Sequence, residues 1–343
     1  MELREIGEFG LIARIQDRLP DLPSSVFKGI GDDAGVASLT PGRDLVSTVD
    51  LLLEDVHFDL SVISPYLLGR KSLAVNLSDI AAMGGLPRFT LISMAVPPRI
   101  RVEFIDDFFR GFSEMAQAFG VSLIGGDTSS SPDRLFISVT LLGEGRKDAL
   151  VYRNGARAGD DLYVTGTLGD SLMGLRLVQR TGRPTLAPEE KFLLSRHLNP
   201  TPRVKEGQAL SEKGLATAMI DISDGLFSDL SHICTESRVG ATIWTNRIPQ
   251  SPALQKLVSA SQSSGWQLAL KGGEDYELLF AAPPGKESEI IALGRQWDCG
   301  VTRIGQVEPQ TSGINILDEN GPVDPELLKG YDHFARPSPP ENS

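Results

Sequence analysis

The stretch SPYLLGRKSLAVNLSDIAAMGG, residues 64–85, predicts a helix that carries a carboxylate in its apolar part. Ser64 is a typical helix N-cap and Pro65 a typical first-turn residue, so the helix should run from there to Met83, where two glycines end it. Asp79 lies among the apolar side chains of the last turns. Because an unpaired buried carboxylate is costly, Asp79 indicates a partner such as a cation.

A second stretch, GIGDDAGV at residues 29–36, sets two carboxylates side by side among glycines. A surface turn is one explanation, since Gly and Asp are ordinary turn residues. The pattern of an acid beside glycine, or at the end of an apolar strand, nevertheless recurs along the chain. Its further members are Asp50, Asp127, Asp221, Asp224, Glu274 and Asp275.

Any one of these acids is typical of a cap, a turn or a solvated surface. As a set they indicate a ligand site, because ligands gather at the strand ends of α/β sheets. Oxygen ligands with only four scattered histidines suit Mg²⁺ better than Zn²⁺. Magnesium held by few protein groups completes its shell with water and substrate phosphates, so the acids favour a phosphorylated substrate or a nucleotide.

A dinucleotide-binding loop is a competing interpretation of the GIGDDAGV stretch. Residues 29–34 fit the pattern G-x-G-x-x-A, and Asp50 stands near the spacing of the ribose-binding acid. The interpretation is disfavoured because Asp32 and Asp33 would face a pyrophosphate with bare negative charge. The chain also has no Walker A motif and no HRD or DFG signature of protein kinases.

The composition is that of an ordinary globular chain. The 343 residues carry a net charge of −12 without a run of Lys and Arg, which argues against nucleic acid and anionic membranes as partners. There is no run of 18 apolar residues, and the first residues do not resemble a signal peptide. Two cysteines, Cys234 and Cys299, are too few for a disulfide scaffold, so we expect a cytoplasmic protein.

Alternating strand and helix patterns predict an α/β (α+β) chain of two domains. A polar, glycine-rich region at 144–158 places the boundary between a domain of residues 1–148 and one of 149–335, followed by a disordered tail at 336–343. Ser223 is expected to cap a helix. Helices are predicted at 65–83, 101–119, 170–180, 188–197 and 202–213, and strands at 44–50, 88–96, 121–124, 134–142, 161–165, 216–220, 241–244, 276–281 and 301–304.

Nine motifs cover nearly the whole chain, from Gly7 to Phe334. They are GEFGLIARI, GIGDDAGV, STVDLLLEDVHF, KSLAVNLSDIAAMGG, LIGGDT, YRNGARAGDDLYVTGTLGDS, IDISDGLFSDLSHI, GGEDYELLF and GYDHF. In this order they resemble the thiamine-monophosphate kinase family, part of the aminoimidazole-ribonucleotide-synthetase-like ATP-binding superfamily. The resemblance implies transfer of the γ-phosphoryl group of ATP to thiamine monophosphate. It also implies a first domain whose four-stranded sheet pairs with its copy in a homodimer, and a second α/β domain that covers the nucleotide.

The same resemblance implies the functional residues. Catalysis would depend on Asp50, Asp127 and Asp221. Several Mg²⁺ ions on the ATP phosphates would be held by Asp33, Thr48, Val49, Asp50, Asp79, Asp127 and Asp221, with Asp224 at an outer metal. Contacts to ATP would come from Phe109, Gly126, Asp127, Arg153 and Ser223, and contacts to thiamine monophosphate from His57, Glu274 and Tyr331.

Two positions depart from the family's pattern. Val49 stands where Thr is frequent, which leaves only a backbone carbonyl for a metal, and Phe109 stands where Tyr is common on the adenine side. The chemistry agrees with the resemblance, because an acceptor phosphate with a second pKa of roughly 6 is largely ionised at neutral pH and needs no general base. What the reaction needs is charge cancellation and in-line positioning, so direct transfer is expected.

Three other functions stay open on the sequence alone. A sister enzyme, such as a selenophosphate or aminoimidazole-ribonucleotide synthetase, would share the ATP chemistry. The selenium enzyme would require an N-terminal Gly-rich loop with a reactive Cys or Lys, and no such loop is found in the sequence. A non-catalytic Mg²⁺–nucleotide sensor would share the fold but would not convert substrate. An acidic scaffold would show no Mg²⁺-dependent binding of ATP.

Overall fold

The computed structural model describes residues 1–31, 33–179, 186–259 and 264–324, apart from the side chain of Phe9. Asp32, Tyr331 and the predicted tail at 336–343 lie outside the described residues. The helices are α1 (Leu3–Gln16), α2 (Pro65–Ala82), α3 (Val102–Ala118), α4 (Asp170–Val178), α5 (Pro188–Leu198), α6 (Val204–Glu212), α7 (Leu226–Ser237), α8 (Pro252–Ser259), α9 (Gly265–Lys271) and α10 (Glu287–Gly294). The strands are β1 (Val26–Lys28), β2 (Val36–Ala37), β3 (Arg43–Leu53), β4 (Leu86–Val96), β5 (Ser122–Ser130), β6 (Phe136–Arg146), β7 (Asp161–Thr165), β8 (Ala218–Asp221), β9 (Val239–Trp244), β10 (Leu278–Ala282), β11 (Val301–Pro309), β12 (Ile314–Asp318) and β13 (Gly321–Val323).

The first half of the chain builds a four-stranded sheet in the order β3-β6-β4-β5. β6 is antiparallel to both of its neighbours, whereas β4 and β5 run parallel. α2 and α3 pack against each other, and Phe108, Phe109 and Phe112 fill the core beside them. β3 and β5 are therefore the two edge strands of this sheet.

The second half builds a seven-stranded sheet in the order β13-β12-β9-β11-β7-β10-β8. Tyr163 and Phe280 stack in its core with their ring centroids 5.3 Å apart. The two halves of the chain meet where α2 packs on α6, and there Gly207 comes so close to Ala81 that a Cβ would collide with the Ala81 carbonyl group. β8 is an edge strand, and its last residue, Asp221, points toward this junction.

The predicted α/β class with a four-stranded first sheet is confirmed. The helix around Asp79 also begins as predicted, because α2 starts at Pro65 and the Ser64 hydroxyl accepts the backbone N–H of Leu67 at 3.3 Å. In the described part of the chain, no helix combines the length and the apolar character needed to cross a membrane. The domain limits at residues 148 and 149 stay a prediction.

Two acids predicted at strand ends lie inside longer strands. β3 continues from Asp50 to Leu53, which still pairs with Phe136 of β6. β5 continues from Asp127 to Ser130, which still pairs with Val96 of β4. A single acid marked the predicted end of β3 and a polar, glycine-rich stretch that of β5, but hydrogen bonding to the neighbouring strand carries the backbone further.

The expectation that Ser223 caps the next helix is wrong. α7 begins at Leu226, and its N-cap position is taken by Gly225 with a φ of 110°, a conformation that favours glycine. The carboxylate of Asp229, in the first turn of α7, accepts the backbone N–H of Asp224 at 3.2 Å. A side chain inside the helix thus satisfies a backbone donor that precedes it.

Candidate active site

Three carboxylates from separate elements form a cluster: Asp50 on β3, Asp79 on α2 and Asp221 at the end of β8. Burial, and then the charge of Asp79, raises the pKa of Asp50 to about 7. The same two causes raise the pKa of Asp221 to about 7, and burial also raises the pKa of Asp79. Like charges held this close in a partly buried place are unfavourable unless a cation compensates them.

The local geometry explains why these acids meet. Alternate side chains of β3 face α2, so Thr48 and Asp50 point the same way, and the Thr48 hydroxyl donates a hydrogen bond to Asp79. The adjacent residue of α2, Ser78, donates a 2.6 Å hydrogen bond to Oδ2 of Asp221. One turn of α2 therefore fixes an acid of the first sheet and an acid of the second relative to each other.

Arg153 supplies positive charge beside the cluster. It lies in a short 3₁₀ turn, Arg153–Gly155, and its side chain is exposed. Its charge opposes the rise in pKa of both Asp79 and Asp221, although burial dominates at each. An exposed guanidinium whose charge reaches these acids is available to an anionic ligand bound at the cluster.

Two cavities contain most of the other predicted residues. The larger cavity, about 960 Å³, opens beside the cluster, and the smaller cavity, about 590 Å³, lies at β5. The larger is lined by Val49, Asp50, His57, Ser223, Asp224 and Glu274, and the smaller by Asp33, Phe109, Gly126 and Asp127.

Asp50 and Asp127 are not brought together within one chain. Asp50 pairs with Val139 of β6, Val139 with Ile92 of β4, and Ile92 with Gly126 of β5. Three strand spacings, about 14 Å, thus separate the two edges of the sheet. Asp127 is the next residue after this row, so the pleat turns its side chain to the face opposite that of Asp50.

The donors of the cluster fit magnesium chemically. Asp50, Asp79 and Asp221 offer only oxygen ligands, with the Thr48 hydroxyl beside them, and oxygen is what Mg²⁺ prefers. Among residues 1–31, 33–179, 186–259 and 264–324, no three His, Cys, Asp or Glu side chains are grouped closely enough to hold an ion unaided. Such a site suits ions that take a few protein oxygens each and complete their shells with water and phosphate.

A buried cluster around Glu274 forms one wall of the larger cavity. Nζ of Lys71 lies 3.0 Å from Oε1 of Glu274, and Nδ1 of His197 lies 3.1 Å from Oε2. Oγ of Ser171 is 3.1 Å from the same nitrogen of His197. Burial would raise the pKa of Glu274, but Lys71 and His197 bring it down to about 2. Glu274 is therefore an anion with both oxygens in contact with the protein.

The loop that carries Glu274 alternates between cavity and core. Glu274 and Tyr276 line the larger cavity and have positive φ angles of 63° and 51°. Asp275 and Glu277 point the other way and are buried. Asp275 accepts two backbone N–H groups at the start of α4, at 2.6 and 3.0 Å. Left-handed backbone is strained for residues other than glycine, and these buried anchors hold it in place.

Sequence reasoning missed Lys71, His197 and Tyr276, all of which line the larger cavity. One signal for Lys71 was present, because Lys71, Val75 and Asp79 follow each other at intervals of four residues and share a helix face. A lysine on the same face as the unexpected carboxylate marks that face as part of a site. His197 and Tyr276 carry no such local signal, since tertiary contacts alone bring them to the cavity.

The remaining residues predicted for the site differ in how far they are exposed and in what their neighbours require of them. Val49 is 61% exposed, whereas Phe109 is buried with its ring 5.3 Å from that of Phe108. A Cβ at Gly126 would collide with the carbonyl group of Ile92, so strand packing requires this glycine independently of any ligand. Tyr331, predicted to contact the substrate, lies outside the described residues.

Comparison with known proteins covers both halves of the chain. The family model of the AIR synthase related protein N-terminal domain matches residues 31–144, and that of the C-terminal domain matches residues 157–317. Thiamine-monophosphate kinase of Salmonella typhimurium is 39% identical over 334 residues, which are 96% of this chain and 99% of the relative.

Two solved structures are similar over most of their length. The thiamine-monophosphate kinase from Stenotrophomonas maltophilia K279a has a TM-score of 0.78 at 36% identity and covers 89% of this chain and 94% of its own. AaThiL complexed with AMPPCP and TMP has a TM-score of 0.75 at 36% identity, over 97% of this chain and 99% of its own.

Proposed function

Because the chain belongs to the thiamine-monophosphate kinase family, we propose that it transfers the γ-phosphoryl group of ATP to thiamine monophosphate, giving thiamine diphosphate and ADP. The observation that carries the proposal is the carboxylate cluster of Asp50, Asp79 and Asp221 at one end of the larger cavity. Glu274 and His57, two of the three residues expected to contact thiamine monophosphate, line the wall of the same cavity.

The chain's own task in this reaction is positioning. The attacking group is a phosphate oxygen of thiamine monophosphate, which is largely ionised at neutral pH, so no side chain has to remove a proton. Two polyanions must approach each other in line. The larger cavity would hold the acceptor, thiamine monophosphate, while Arg153 and the acids of the cluster would hold the phosphates of the donor, ATP. We expect direct transfer without a phosphoenzyme.

Magnesium is the expected metal of the cluster. When bound, Mg²⁺ would cancel charge between the phosphates of the two substrates. The cluster residues Asp50, Asp79, Asp221 and Thr48 support this assignment by their oxygen-only chemistry and by the burial that makes uncompensated charge costly. Asp33, Asp127, Asp224 and the backbone carbonyl of Val49 are the further metal contacts that we propose.

The smaller cavity is the place that we propose for part of the nucleotide. Phe109 and the apolar residues of β4 and β5 provide a wall for a base, while Asp33, Gly126 and Asp127 lie at its polar side. Ser223 and Arg153 are proposed to contact the phosphates from the second half of the chain. Tyr331, together with His57 and Glu274, is proposed to contact thiamine monophosphate.

We propose a homodimer in which a second copy completes the site. Leu45, Val49 and Leu51 on the outer face of β3 are 56%, 61% and 54% exposed. A row of exposed apolar side chains on an edge strand is unusual unless another protein surface covers it. Asp127 lies on the far edge of the sheet and on the opposite face from Asp50. Pairing of the first sheets would bring the Asp127 edge of one copy to the Asp50 edge of the other.

The compartment remains a prediction as well. Both cysteines, Cys234 and Cys299, are free thiols, which is compatible with the reducing cytoplasm that we propose.

The decisive experiment is a conversion assay with ATP, Mg²⁺ and thiamine monophosphate, in which thiamine diphosphate is separated by chromatography. We expect Mg²⁺-dependent formation of thiamine diphosphate and an equal amount of ADP. Binding of ATP without any formation of thiamine diphosphate would instead identify a nucleotide sensor. Release of ADP at a rate that does not depend on thiamine monophosphate would mean that water or another molecule is the phosphoryl acceptor.

A further inference from the structure

Lys71 is almost completely buried, with 1% of its side chain exposed, although it lines the larger cavity. A buried ammonium group is costly unless it is paired, and its partner is Oε1 of Glu274 at 3.0 Å. The two charges compensate each other. The pair therefore presents little net charge to whatever ring system occupies this part of the cavity.

The second oxygen of Glu274 is also engaged by a defined donor. Nδ1 of His197 lies 3.1 Å from Oε2, and an ionised carboxylate can only accept a hydrogen bond. The contact therefore requires a proton on Nδ1 of His197, and burial lowers the pKa of this ring, which favours the form with a single proton. Oγ of Ser171 lies 3.1 Å from the same nitrogen and, with the proton on Nδ1, can only accept a share of that N–H.

A fixed carboxylate in this setting is a hydrogen-bond acceptor with capacity to spare. Its two oxygens offer about four acceptor sites, of which Lys71 and His197 use two. The Glu274 side chain is 27% exposed, so the remaining sites face the cavity. The positive φ of 63° at Glu274, anchored through buried Asp275, fixes the backbone from which the carboxylate projects.

The position of Lys71 indicates which end of the substrate lies against the wall formed by Lys71, His197 and Glu274. Lys71 and Asp79 lie on one face of α2, separated by eight residues or about 12 Å. The phosphate of the substrate belongs at the acids, beside Asp79. The group at the other end of thiamine monophosphate is its pyrimidine, which carries an amino group with two N–H donors.

We propose that Lys71 and His197 are positioning residues that hold the Glu274 carboxylate as the hydrogen-bond acceptor for the amino group of the substrate's pyrimidine. The inference rests on the proposed function and adds the part of the substrate that this wall recognises. Because Lys71 already compensates the charge of this carboxylate, Glu274 is expected to recognise the substrate by hydrogen bonding rather than by attracting the fixed charge of the thiazolium.

Two substrate analogues separate hydrogen bonding from charge. In one, oxygen replaces the pyrimidine amino group, and in the other an uncharged ring of the same shape replaces the thiazolium. The parent enzyme should use the oxo analogue with a kcat/KM roughly 10- to 100-fold below that for thiamine monophosphate. It should use the uncharged-ring analogue nearly as well as the natural substrate. The reverse order of preference would overturn the proposal.

Variants test the positioning role. Lys71→Met and His197→Leu should each raise the KM for thiamine monophosphate about tenfold. They should leave kcat and the KM for ATP nearly unchanged, and they should reduce the discrimination against the oxo analogue. His197→Asn, whose amide N–H lies near the place of Nδ1, should recover most of the loss. Lys205→Met, the same change at an exposed position of α6, is the matched control.

Equal behaviour of His197→Leu and His197→Asn, or full discrimination in Lys71→Met, would contradict the positioning role. Should Lys71→Met fail to fold in a thermal unfolding scan, the His197 pair decides the matter by itself. Failure of the proposed function looks different, because the parent enzyme would then form no thiamine diphosphate at all.

Discussion

The Ser78 hydroxyl donates a 2.6 Å hydrogen bond to Oδ2 of Asp221, although 143 residues separate the two in the chain. Ser78 belongs to α2, and Asp221 is the last residue of β8 in the second sheet. Both groups are buried, and the hydrogen bond lowers the pKa of Asp221 against the larger effects of burial and of Asp79. This contact links the two halves of the chain at the carboxylate cluster.

Ser78→Ala should therefore impair the site more than the fold. Without the hydroxyl, Asp221 loses its partner and its orientation toward Asp79, so we expect kcat to fall roughly tenfold and the Mg²⁺ requirement to rise. Steady-state kinetics over a range of Mg²⁺ concentrations measures both effects. Ser113→Ala is the matched control, because Ser113 is also a buried helical serine but its hydroxyl has no partner among the described residues. Equal kinetics in the two variants would show that the contact is not needed.

Arg153→Ala should raise the KM for ATP more than the KM for thiamine monophosphate. The Arg153 charge acts on Asp79 and Asp221, and the residue lies in the short turn at the start of the second half of the chain. Loss of one guanidinium contact to phosphate is expected to raise the KM for ATP about tenfold or more. Arg157→Ala, an exposed arginine of the same connection, is the control. An unchanged ATP dependence would identify Arg153 as a plain surface residue.

Glu277 should stabilise the fold in a pH-dependent way. It is fully buried and accepts hydrogen bonds from Arg203 at 2.5 and 2.6 Å, from Arg196 at 2.7 Å and from Thr165 at 2.7 Å. Burial would raise the pKa of Glu277, but the two arginines hold it below its ordinary value of 4.5. Since the folded pKa is the lower one, this stabilisation is complete above about pH 4.5 and is lost as the pH falls through the folded pKa.

Glu277→Gln should lower the free energy of unfolding at pH 7 by roughly 3 kcal/mol, because two arginines that are mostly removed from solvent lose their counter-charge. The variant should also lose stability less steeply than the parent between pH 5 and 3. Urea unfolding at several pH values checks both points. Glu289→Gln, which removes an exposed ion pair with Lys286, should change little.

How far the sequence predicts this molecule depends on whether a signal is local. The start of α2 at Pro65 was predictable because the N-cap Ser64 and the proline act on neighbouring residues. The ends of β3 and β5 were not, because hydrogen bonds to β6 and β4 extend them past polar residues.

The site shows the same limit. Residue types and the order of the motifs indicated Asp50, Asp79 and Asp221, and the structure brings these three together. The spacing of Lys71 and Asp79 marks one helix face, but nothing in the sequence pairs Lys71 or His197 with Glu274, since both come from helices remote from it in sequence. The placement of Asp50 and Asp127 at opposite edges of one sheet depends on strand order, and their opposite faces depend on the pairing register, neither of which a motif reports.

The separation of Asp50 and Asp127 leads to a test of how the site is assembled. Asp50→Asn and Asp127→Asn each remove one formal charge while keeping the shape of the side chain, so each variant alone should lose nearly all turnover with its fold intact. Activity within threefold of the parent in saturating Mg²⁺ would contradict the assignment of either residue. Asp44→Asn, an exposed change on the same β3 strand, should retain activity.

Mixing the two inactive variants decides whether one chain or two supply these acids. If a site combines Asp50 of one copy with Asp127 of the other, a mixed dimer has one doubly altered site and one intact site. Random exchange of subunits makes half of the dimers mixed, so the mixture should recover about a quarter of the parent activity. Exchange is promoted by dilution and reconcentration and is followed by mass spectrometry of the intact dimers. No recovery despite proven exchange would mean that both acids act within a single chain, and the proposed pairing of the sheets would then be wrong.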